Sequence, residues 1–188
     1  MKGALIIFEG MTTLDFIGFY DQVTRLKSMG IMPDFEWRIC PLAPRITDDR
    51  GLGLVAEAVA EPLAGFDLLF IPGGFATRKL QHEGEFVEWL RSAGPVGLKT
   101  SVCTGALLLG AAGFLNGKKA TTHPGALKEL EPYCASVLKG RVVDDGNVIT
   151  AGGVAASLDL GLHVVERLAG AEARARIAAQ MDYPYFKE

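Results

Sequence analysis

The feature that most constrains this chain is an alternation. Short, wholly apolar runs of strand length are each followed by a stretch whose apolar residues recur at helical spacing. Gly3–Phe8 (G-A-L-I-I-F) and Leu68–Ile71 (L-L-F-I) have no polar face to offer water, so they belong in a parallel sheet covered on both sides. After the first run, Phe16, Phe19, Tyr20, Val23 and Leu26 mark a helix over Asp15–Met29, closed by Gly30. Further strands are predicted at Phe35–Cys40, Val96–Val102 and Lys119–Thr122. Further helices are predicted at Glu85–Ala93, Thr104–Ala112, Gly125–Leu130, Val154–Leu168 and Ala171–Met181. The turns D-D-R-G and D-D-G-N place hairpins at Ile46–Ala56 and Arg141–Thr150. The pattern predicts one domain over residues 1–188, an α/β/α sandwich with a mostly parallel sheet.

Composition narrows the function classes. Hydrophobic residues make up 49% and charged residues 22% of 188, enough for a full core. The net charge of −3, with no basic block, predicts no nucleic-acid partner. No apolar run approaches the roughly 20 residues of a membrane span. The apolar start is too short for a signal peptide, and three cysteines without C-x-x-C spacing predict neither disulfides nor a metal site. A cytoplasmic protein is expected.

In folds of this class, ligands sit beyond the carboxyl ends of the strands. Three loops are therefore singled out: Glu9–Leu14, Pro72–Phe75 and Cys103-Thr104. Cys103 stands where a buried strand turns into a helix, the position of a nucleophile elbow, and the helix start would favour its thiolate. A buried, inert cysteine is the alternative. Gly73 and Gly74 can turn backbone N–H groups toward a ligand as an oxyanion hole, or simply form a tight turn. Asp15, at the head of the first helix, is either an N-cap or a carboxyl reaching Cys103 as proton donor. His123 is a candidate base, although a lone histidine is more often structural. His82 is read as solvated and His163 as half-buried packing, while Cys40 and Cys134 are read as structural. Gly152-Gly153 form a turn that could line the same pocket.

Taken together, L-I-I-F, L-D-F-I-G, F-I-P-G-G, S-V-C-T-G-A-L-L-L-G-A-A-G-F-L-N-G, A-T-T-H and T-A-G-G-V-A-A-S-L-D resemble the ThiJ/PfpI superfamily, from Gly3 to the Q-M-D-Y-P-Y-F tail. The resemblance implies a flavodoxin-like fold similar to class I glutamine amidotransferases, and a homodimer. It implies that Cys103 is the nucleophile, Asp15 the carboxyl paired with it, and Gly74 and the Thr104 N–H the donors to an oxyanion. C-T-G and L-D most resemble isocyanide hydratases. The implied reaction is hydration of a small electrophile, an isocyanide going to an N-formamide without cofactor. A glyoxalase- or deglycase-like activity, and a redox- or ligand-sensing role for Cys103, are the alternatives. Thr104 stands where the peptidase branch has histidine, which speaks against peptidase activity.

Overall fold

The computed structural model describes residues 1–56 and 59–184. Residues 185 and 186 of the C-terminal tail lie outside them. In chain order, β1 (Lys2–Ile6) leads to α1 (Thr13–Ser28) and β2 (Glu36–Cys40), then to a hairpin of β3 (Arg45–Thr47) and β4 (Gly53–Val55). Next come β5 (Leu68–Ile71), the short α2 (Thr77–Leu80), α3 (Gly84–Arg91), β6 (Leu98–Val102) and α4 (Gly105–Ala111). The remainder is β7 (Lys119–Ala120), α5 (Leu127–Leu130), β8 (Ser136–Val137), β9 (Val142–Asp144), β10 (Val148–Ala151) and α6 (Ala156–Gln180).

The central sheet has the order β2-β1-β5-β6-β10-β9 and is parallel except for the antiparallel β9–β10 edge. This is the expected α/β architecture, with helices around a mostly parallel sheet. β1, β5 and β6 are buried along nearly their whole length. β6 carries K-T-S in its middle, and its polar atoms are mostly met internally. Lys99 Nζ donates to the Gly94 and Val96 carbonyls and lies 4.8 Å from the centre of the Phe114 ring, while Thr100 Oγ1 donates to the Leu69 carbonyl.

α1 packs on the sheet through the predicted stripe, with Phe19 stacked on Phe70 of β5 at 3.9 Å and Phe16 beside it. α1 and α6 cross tightly, because a Cβ on Gly18 would collide with the Ser157 side chain, and one on Gly161 would meet Gln22 at 2.8 Å. The two C-terminal helices expected from the sequence run end to end as α6, broken at Gly170, whose φ of +88° only glycine adopts readily.

One strand differs from expectation. Lys119–Thr122 forms a strand only over Lys119–Ala120, and it pairs with β8 rather than with the central sheet. The side chains that follow explain why. The Thr121 N–H bonds the Thr150 hydroxyl instead of a ladder carbonyl, and Thr122 Oγ1 donates to the Cys103 carbonyl.

Candidate active site

The sheet brings the three loops singled out by sequence to one place, because β1, β5 and β6 are neighbours and point the same way. Cys103 follows β6 directly. Its φ of +55° is left-handed, a strained conformation for a residue with a side chain, and it lets the chain turn at once into α4. The bend is tight enough that a Cβ on Gly105 would collide with the Ile71 and Pro72 carbonyls. The Cys103 backbone is fixed on both sides: its N–H donates to the Ala151 and Gly152 carbonyls, and its carbonyl accepts the Thr122 hydroxyl. These are the features of a nucleophile elbow.

Asp15 lies in the first turn of α1 and is fully buried. It does not cap the helix. Its Oδ2 accepts the Gly73 N–H at 2.8 Å, while Oδ1 has no hydrogen-bond partner. The Cys103 thiol is close enough to act on this carboxyl, though not in the geometry of a formed hydrogen bond. A Cβ on Gly73 would stand 2.7 Å from the Cys103 Cβ, 2.7 Å from the Thr104 nitrogen and 2.8 Å from Asp15 Oδ2. Only glycine fits between these three groups.

Burial pushes the Asp15 carboxyl up to about 7; the Gly73 hydrogen bond and the thiol oppose that rise, and the Asp49 charge adds to it. The Asp49 carboxylate is held by the hydroxyl of Thr12, three residues before Asp15. Burial, and then the Asp15 charge, push the Cys103 thiol up to about 11, while N–H groups of Thr104 and Val154 facing the sulfur pull the other way. The start of α4 thus acts in the expected direction and is outweighed by burial and the Asp15 charge.

Gly74 has its N–H on the Thr104 hydroxyl at 3.0 Å, and its carbonyl accepts from the same hydroxyl and from that of Thr77. Both glycine N–H groups are therefore engaged inside the protein, one by Asp15 and one by Thr104. The donors facing the sulfur are those of Thr104 and Val154. Val154 was not singled out by sequence; the G-G-V turn after β10 is the signal that could have found it. Asp49, in the D-D-R-G turn, and Thr122, in A-T-T-H, have site contacts that emerge only from the three-dimensional arrangement.

Among the described residues, the other candidates make no hydrogen bond to the Cys103 or Asp15 side chain. His123 Nδ1 accepts the Gly125 N–H at 3.1 Å, its ring packs by Gly153, and it makes no hydrogen bond to Cys103 or Asp15. His82 is exposed, and His163 pairs with Asp144 on the surface rather than packing alone. Cys40 is fully buried, which is the main reason its thiol is pushed up to about 12, and Cys134 is half-buried. Among the described residues, no cluster of histidine, cysteine and carboxylates could hold a metal, and no helix is long and apolar enough to cross a membrane.

A mostly parallel α/β sheet presenting a cysteine on a strained strand-to-helix turn, with a buried carboxyl beside it, defines an α/β protein with an elbow cysteine. Residues 1–167 match the DJ-1/PfpI family, and the chain belongs to it. It is 34% identical to the isonitrile hydratase of Pseudomonas putida over 180 residues, 95% of this chain and 76% of that one. It is 30% identical to protein DJ-1alpha of Drosophila melanogaster, over 98% of this chain and 85% of that one. Its fold superposes on the crystal structure of a ThiJ/PfpI family protein from Pseudomonas syringae with a TM-score of 0.89 at 30% identity, covering 99% of this chain and 76% of that one.

Proposed function

We propose that the protein hydrates a small electrophile by covalent cysteine catalysis, and that the substrate is an isocyanide converted to an N-formamide. The observation that carries this reading is the free Oδ1 of Asp15 beside the Cys103 thiol, in a pocket that keeps the carboxyl's affinity for a proton near neutrality. As the sulfur attacks the terminal carbon, the thiol proton passes to Asp15 and from there to that carbon. The product is a thioimidate, R–N=CH–S, on Cys103. Water adds to the same carbon. Collapse of the adduct returns a proton to the sulfur and releases R–NH–CHO.

In this reading the Thr104 and Val154 N–H groups hold the sulfur while it carries charge, and Gly73 and Gly74 shape the floor of the site. Neither a metal nor a cofactor has a part in these steps. His123 has no part either, and the form of the glyoxalase-like alternative in which it takes part is the less supported for that. The raised Cys103 thiol, with only 6% of the residue exposed, likewise weakens a redox-sensing role, because oxidation favours accessible thiolates. The resemblance also supports a homodimer. Leu14 and Ile17, 49% and 43% exposed on α1 beside Asp15, are apolar enough to be covered by a second copy, and sedimentation equilibrium would read the mass directly.

The test is formamide production from a simple aliphatic isocyanide, followed by loss of the isocyanide infrared band. Wild type should turn over and Cys103→Ala should not. Equal formamide from both would remove the nucleophile, and none from wild type would remove the substrate.

A further inference from the structure

Behind the nucleophile, on the side of its backbone rather than of Asp15, lies an open cleft of about 430 Å³, a size that suits a small ligand. Its back wall contains Thr121 and Thr122, both nearly fully buried, whose hydroxyls are already committed to the Gly140 and Cys103 carbonyls. Pro124 and Leu127 make one flank apolar. The other carries Lys139 and Arg141, and among the described residues no carboxylate lines the cleft.

The charges are not balanced. Arg141 binds Asp159, outside the cleft, and Asp159 uses its second oxygen to accept the Tyr183 hydroxyl. Lys139 makes no ion pair or hydrogen bond among the described residues. One cation is left facing a concave surface with an apolar flank, an environment that suits one negative charge attached to an apolar body.

The cleft is also joined to the nucleophile. The Cys103 N–H donates to the carbonyl of Gly152, a lining residue, at 2.8 Å, and the Cys103 carbonyl accepts from Thr122, another, at 2.7 Å. The strained φ of Cys103 is therefore held by the wall of the cleft.

We propose that this cleft binds a small monoanionic organic acid, its carboxylate toward Lys139 and its apolar body on Pro124 and Leu127, and that occupancy changes the reactivity of Cys103 through Thr122 and Gly152. The inference goes beyond the hydration reaction and does not depend on it, since it requires no substrate.

The test uses benzoate as the probe and benzamide as its neutral counterpart, with binding followed by titration calorimetry. Benzoate should bind about tenfold more tightly than benzamide, and Lys139→Glu should lose about tenfold in benzoate affinity. Lys139→Arg should stay within about threefold of wild type. Lys139 is exposed, and matching thermal melts would confirm that the variants fold. Equal binding of benzamide, or unchanged benzoate binding by Lys139→Glu, would overturn the site. Alkylation of Cys103 by iodoacetamide, quantified on its own peptide, should change at least about twofold in saturating benzoate for wild type and not for Lys139→Glu, the twofold step being modest beside the 5- to 150-fold span of site coupling. An unchanged rate with benzoate bound would overturn the link to the nucleophile.

Discussion

Asp15 gives one carboxyl oxygen to the Gly73 N–H at 2.8 Å and keeps the other, unpartnered and buried, beside Cys103. This division lets a single side chain be both fixed in place and free to carry a proton. Asp15→Asn keeps the first function, since the amide oxygen can accept from Gly73, and loses the second. Turnover should fall by about 10²–10⁴-fold, the usual worth of a positioned acid or base.

The same variant should be more stable than wild type above neutrality. The carboxyl has its folded-state pKa raised from 3.8 to about 7, so its neutral form fits the fold and its ionised form does not. The cost of ionising it is absent below pH 3.8, grows as pH rises, and is complete above about 7. That interval corresponds to about 4 kcal/mol. Denaturant unfolding at pH 8 should show Asp15→Asn ahead by a sizeable part of this amount, with the difference vanishing toward pH 4. An equal gap at both pH values would contradict the ionisation argument.

In the proposed mechanism the working state of the pair carries one proton between carboxyl and thiol. It dominates above about pH 7 and below about pH 11, so kcat/KM should rise through the first value and fall through the second, as apparent constants of the pair. Asp49→Asn removes a negative charge that raises the Asp15 value, and the Thr12 hydroxyl can still be met by the new amide oxygen. The lower limb should move to lower pH and the upper limb should stay. A drop in rate at every pH with the limb unmoved would leave Asp49 a structural role only.

Thr104→Val removes the hydroxyl that binds both the N–H and the carbonyl of Gly74. The Gly74 N–H is then buried without a partner, at a cost of about 1–3 kcal/mol. Chemical denaturation should report that loss. Activity should fall as well, since this loop also carries the Gly73 contact to Asp15. His123→Ala, by contrast, loses the cap on Gly125 and the packing beside Gly153, and should leave turnover within about tenfold of wild type, below the range of a true general base.

Much of this arrangement was legible in the sequence. Unbroken apolar runs declare buried parallel strands, and topology then requires the loops after β1, β5 and β6 to meet, which brought Asp15, Gly73, Gly74 and Cys103 together. What could not be read were contacts made by residues without a pattern of their own. Asp49 lies 34 positions after Asp15 and reaches it through the β3–β4 hairpin, and Thr122 leaves an expected strand to hold the Cys103 carbonyl. The ionisation of Cys103 lies beyond sequence for a related reason. A helix start is visible in sequence, whereas the depth of burial that outweighs it is a property of the packed core.

At position 103 itself, the left-handed backbone predicts an inverted ranking of substitutions. Cys103→Gly should be more stable than Cys103→Ala by about 1 kcal/mol, the reverse of the usual preference, because only glycine adopts φ near +55° without strain. Thermal unfolding of the two variants side by side would show it.

The three loops of the site spring from strands in fixed register, with Leu5 level with Phe70 and Phe70 level with Thr100. A hydrogen-bonded ladder cannot slide by a fraction of a residue; its smallest step is about 3.3 Å, and one step turns every side chain to the other face. The spacing of Asp15, Gly73 and Cys103 is therefore closer to a digital setting than to an adjustable one. Substitutions elsewhere in the core can soften the protein, yet they leave these three residues at the same spacing until the sheet itself gives way.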